Sequence, residues 1–129
     1  MRAWFLLSVL LLGAILGSCS KQNKDLPTGF QFVAPATPTN VVVTPGVERS
    51  ALAWSYPAAA LAGVKEFRIY EFFAQLQALE LVGTTRDTTF VDSLLVGNLT
   101  YCYEVSAVDT TGFDGFRTAA KCVFVRASH

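Results

Sequence analysis

Histidine is almost missing from this chain: of 129 residues only His129, at the last position, carries an imidazole. One such residue without partners cannot be built into a metal centre of the usual His, Cys and carboxylate kind, and it leaves every serine without a base to activate it. Charge of one sign is also lacking. Ten basic and ten acidic side chains cancel, so nothing draws the chain electrostatically toward nucleic acid or an anionic surface. There is no CxxC pair for redox chemistry and no glycine-rich loop to cradle a phosphate. The carboxylates Glu66, Glu71, Glu80, Asp87, Asp92, Glu104, Asp109 and Asp114 are scattered, and although a pair could converge by chance, most fall at turns or outward strand positions, where a solvated role is the stronger reading. The expectation is a protein with no catalytic residues, no metal and no cofactor.

What the chain does have is an apolar start. Met1 and Arg2 precede an apolar run from Ala3 to Leu16, followed by the small residues Gly17, Ser18 and Cys19. As a helix that run would rise about 21 Å, short of the roughly 30 Å that a spanning helix must cross. It reads as a signal peptide over 1–18. Leu16-Gly17-Ser18-Cys19 resembles the bacterial lipobox, in which the cysteine thiol receives diacylglycerol and becomes the mature N-terminus. An ordinary signal peptide cut near Ser18 or Ser20 is the alternative. The cysteine count favours the lipid: of three cysteines in an exported chain, lipidation of Cys19 accounts for one and leaves Cys102 and Cys122 to pair. By the same resemblance Ser20, where an aspartate would signal inner-membrane retention, points to the outer membrane of the cell envelope.

From 19 to 37 the chain is polar and then proline-spaced, with Lys21, Lys24 and Asp25 leading to Pro27 and Pro35, and reads as a lipid-anchored tether. Phe30, Phe32 and Val33 interrupt it, so that part of it is expected either to pack on the domain or to form an extra edge strand. Over 38–128 the pattern becomes short β-branched and aromatic runs between turns, the mark of an all-β sandwich or barrel. Val41/Val43, Leu52/Trp54, Phe67/Ile69, Glu80-Leu81-Val82, Phe90, Tyr101/Tyr103/Val105/Ala107 and Val123/Val125 supply seven strands, with one face of each turned inward by period-two alternation. A short helix over Phe72 to Leu81 competes with a strand there, but it is too brief to stand alone.

The order of these segments resembles a fibronectin type III domain, an immunoglobulin-like β-sandwich of seven strands. Leu52-Ala53-Trp54-Ser55-Tyr56-Pro57 carries that family's core tryptophan, and Leu95 stands six residues before Tyr101, the spacing of its tyrosine corner. The resemblance implies structural roles for Trp54, Leu95 and Tyr101. The usual corner proline is replaced around Val96 and Gly97, which implies a slightly weaker turn.

Tyr101, Tyr103, Val123 and Val125 take the inward parity, so Cys102 and Cys122 both face outward on one sheet and can bond. Pairing them puts Gly112 at the midpoint of the hairpin, inside Asp109-Thr110-Thr111-Gly112, where a turn is independently expected. The tip beyond it holds Phe113, Asp114, Phe116 and Arg117, two aromatics beside a charged pair. Such residues are enriched in binding surfaces, and in type III domains partners often dock on this loop. A tip whose phenylalanine folds back on the sandwich fits the sequence equally. No RGD triplet is present, so integrin binding does not carry over. The functional expectation is a non-enzymatic envelope lipoprotein, held to the membrane by its lipid, whose domain binds an envelope protein, adheres or scaffolds. A carbohydrate-binding or substrate-capture module is the alternative and would have to draw on Tyr56, Phe72, Phe73, Phe113 and Phe116.

Overall fold

The computed structural model describes residues 33–73 and 76–129. The signal peptide over 1–18, Cys19 and the tether as far as Phe32 lie outside the described residues, as does Phe30. Val33 is exposed and residues 33–38 form no strand.

Seven strands follow: β1 (Thr39–Pro45), β2 (Arg49–Ser55), β3 (Val64–Phe73), β4 (Ala78–Thr85), β5 (Thr89–Ser93), β6 (Leu99–Asp109) and β7 (Lys121–Val125). They form two antiparallel sheets in the orders β1-β2-β5 and β4-β3-β6-β7. Period-two alternation explains how the sheets stack. Each strand turns one set of apolar side chains to the opposite sheet, and burying that set is what the fold gains. Val41, Leu52 and Trp54 from the first sheet meet Phe67, Ile69, Tyr101, Tyr103, Val105, Ala107 and Val125 from the second. Phe67 is the hub: the Trp54 and Tyr56 rings stand edge-on to it at 5.4 and 5.1 Å between centroids, contacts worth about 0.5–1.5 kcal/mol each beyond area burial.

The competing helix over Phe72 to Leu81 does not form. β3 runs to Phe73, Leu76 and Gln77 make a turn, and β4 begins at Ala78. Phe72 and Leu79 face each other across the β3–β4 ladder, and this pairing outweighs the weak helical propensity of so short a stretch. A six-residue 3-10 turn (Ala58–Gly63) lies instead between β2 and β3, entered through Pro57.

The corner between β5 and β6 is closed by the Tyr101 hydroxyl, which accepts from the Val96 N–H at 2.9 Å and donates to the Val96 carbonyl at 3.0 Å. Leu95 packs against the core there. Glycine in place of proline at this corner has a steric reason. A Cβ on Gly97 would stand 2.2 Å from the Ala127 Cα, so only glycine lets the C-terminal segment lie across the turn.

Candidate functional site

β6 and β7 carry the hairpin that the sequence singled out. Cys102 and Cys122 are directly opposed in the β6–β7 register and form a disulfide, closing a loop with a sequence separation of 20. At the tip, Gly112 takes a φ of 90°, and its N–H bonds to the Asp109 carbonyl at 3.0 Å. The Asp109 carboxylate accepts from the Thr111 N–H at 2.8 Å, the Thr111 hydroxyl at 2.6 Å and the Phe113 N–H at 2.9 Å. These bonds, that of Thr111 foremost, hold its carboxyl below the usual aspartate range.

Beyond the tip the chain folds back along β6. Gly115 N–H bonds to Ala107 O and Thr118 N–H to Val105 O, each at 2.9 Å. Asp114 then points onto the outer face of the four-stranded sheet. Its carboxylate accepts from the Ser106 hydroxyl, from Tyr70 Oη at 2.6 Å and from Arg68 at 3.3 Å. Burial alone raises this carboxyl, but the bonds from Ser106 and Tyr70 and the Arg68 charge outweigh it and hold it below its ordinary value. Arg117 lies over the Tyr70 ring, 5.4 Å from the centroid, and its Nε donates to Glu104 at 2.9 Å.

The four tip residues therefore divide. Asp114 and Arg117 are committed to the sheet face and brace the loop, whereas Phe113 is 41% and Phe116 75% exposed. Of the other aromatics, Tyr56 packs on Phe67, and Phe72 and Phe73 are half-buried, so the five do not line up on one exposed face.

One residue departs from its sequence reading. Glu71, grouped there with the solvated carboxylates, is 5% exposed and turns inward. Burial, reinforced by the negative charges of Asp92 and Glu80, pushes its carboxyl up to about 7. Its parity was a usable signal, because Phe67, Ile69, Glu71 and Phe73 alternate on one face of β3. Next to it the Tyr103 hydroxyl donates to Asp92 at 2.9 Å, and burial raises that phenol strongly. Among the described residues no group of three His, Cys, Asp or Glu side chains is placed to hold a metal ion.

With this geometry in view, solved structures give a clear likeness. A Fn3-like protein from Clostridium thermocellum superposes with a TM-score of 0.61 at 19% identity, over 75% of this chain and 99% of that one. The likeness is one of fold. The fibronectin type III domain of human fibronectin type III domain containing protein 3 matches with a TM-score of 0.63 at 15% identity, over 74% and 90%. The twitchin kinase region from C. elegans matches with a TM-score of 0.65 at 18% identity over 73% of this chain, which spans only 17% of that longer one. No family model matches the sequence, and no curated protein matches it either.

Proposed function

We propose that this chain is an envelope lipoprotein, anchored through Cys19, whose fibronectin type III-like domain binds a protein partner close to the membrane and does not catalyse. The observation that carries this reading is the pairing of an exposed Phe116 and a part-exposed Phe113 with a loop already held in place by Asp109 and Asp114. A braced loop loses little entropy on docking, and exposed phenylalanines supply the apolar anchor that dominates contact energy. The anchor would also limit the domain's reach. A tether of about nineteen residues spans at most about 65 Å, which confines the partner to the vicinity of the bilayer.

The test is cross-linking in native envelopes, comparing the parent chain with Phe113→Ala, Phe116→Ala. A partner cross-linked to the parent and lost from the variant supports the reading; an identical set of cross-links refutes the role of the tip. Cys19→Ala should leave the membrane fraction and lose acylation, and a variant that stays membrane-bound with unchanged lipid labelling refutes the anchor.

A further inference from the structure

The opposite end of the sandwich carries a feature that the hairpin reading does not use. β6 begins there at Leu99 and runs to Asp109, about 34 Å away at the usual rise per residue. Where β6 begins, a cleft of about 490 Å³ opens between the end of β3, the β5–β6 connection and β7. Its walls are mostly apolar: Phe73, Val96, Leu99, Tyr101 and Phe124. Glu71 is the only charged side chain among the described residues that line it. Val96, Leu99 and Phe124 are exposed at its rim.

Glu71 itself is unusual. A carboxylate this deeply buried normally has a cation or several N–H donors, because desolvation otherwise forces it to take up a proton. None of the ion pairs or side-chain hydrogen bonds of the described residues reaches it. The charged groups that face it are both acidic, Asp92 on β5 and Glu80 on β4, while the Tyr103 phenol of β6, opposite it in the ladder, donates to Asp92. An apolar cleft that ends on an uncompensated carboxylate is complementary to a long side chain with an aliphatic stem and a positive head.

We propose that this cleft is a binding site for a lysine or arginine side chain of a partner protein, flanked by apolar residues, with Glu71 pairing the cation and Val96, Leu99 and Phe124 covering the stem. The site is independent of the hairpin tip and stands or falls apart from it. It makes the domain a two-ended adaptor, gripping by aromatic insertion at one pole and by ion pairing at the other. Binding deprotonates Glu71, so affinity rises as pH climbs from about 6 to about 8.

The experiment uses the isotope-labelled full chain in neutral detergent micelles, titrated with two capped tripeptides, Leu-Lys-Leu and Leu-Gln-Leu, to about 10 mM. The lysine peptide should shift the resonances of Val96, Leu99 and Phe124, and Glu71→Gln should weaken it about tenfold or more. Phe124→Ala, a rim change that spares the core, should weaken it as well, whereas Phe116→Ala should leave it unchanged. Equal binding of the two peptides, no shift at these residues, or full affinity in Glu71→Gln overturns the proposal. So does a response of these resonances to Lys21→Gln, Lys24→Gln without peptide, which assigns the cleft to this chain's own tether, or concentration-dependent shifts in the free protein, which assign it to a second copy.

Discussion

At pH 8 the Glu71→Gln protein should melt at a higher temperature than the parent chain, although it loses a charge and gains no contact. In the folded protein this carboxyl is pushed from an ordinary 4.5 up to about 7, first by burial and then by Asp92 and Glu80. Below about pH 4.5 it is protonated in both states and contributes no difference. Between about 4.5 and 7 the unfolded chain releases its proton while the folded chain keeps it, so stability falls as pH rises; above 7 the fold carries the full penalty. At 1.36 kcal/mol per pKa unit, the shift corresponds to at most about 3 kcal/mol. Glutamine has nearly the same shape and no charge to lose, so the variant escapes this slope. The gain at pH 8 should be about 2–3 kcal/mol, on the order of 10 °C in a domain of this size.

Thermal unfolding followed by circular dichroism from pH 4.5 to 9 on both proteins isolates Glu71, because every other titrating group is common to the two. The curves should run together near pH 4.5 and separate steadily up to about pH 7.5, with the variant above. Parallel curves at all pH values would refute the reasoning, and so would a parent chain that is the more stable at pH 8.

Gly97→Ala should destabilise the domain by about 1–3 kcal/mol, read as a lower urea midpoint with an unchanged slope, because the new methyl group meets the Ala127 backbone and not a side chain that can swing away. An unchanged midpoint would mean that the C-terminal segment does not lie across the corner. Reducing the bond between Cys102 and Cys122, or replacing both with alanine, should destabilise the domain by about 3 kcal/mol through the unfolded chain's regained freedom. Rapid alkylation of either thiol without reductant would refute the bridge.

The faces of the sandwich were legible because a strand has only two sides. Val41, Leu52, Phe67, Tyr103 and Val125 announce the inward side wherever they alternate with polar neighbours, and the cysteines fall opposite each other by the same parity. The ends of the sandwich were not legible in this way. Whether Asp114 reaches outward or back to Ser106, Tyr70 and Arg68 depends on a loop that folds along β6, and no periodic pattern runs through such a loop. Glu71 is hidden for a different reason: a carboxylate ordinarily marks an exposed position, whereas its place between Ile69 and Phe73 on one face of β3 argues the reverse.

The two ends bear differently on function because the chain enters at only one of them. The Ala36 backbone comes near enough to the Tyr56 hydroxyl to act on its titration, and Gly115 of the hairpin lies so close to Pro35 that an added Cβ would sit 3.0 Å from its carbonyl oxygen. The incoming segment therefore shares a pole with Phe113 and Phe116. A partner at the hairpin tip must fit beside the segment through Pro35 and Ala36, whereas the Glu71 cleft lies about one strand length away. Moving the anchor to the C-terminus, beside the cleft, should then impair cleft binding more than tip binding, and equal loss at both ends would show that the poles do not act separately.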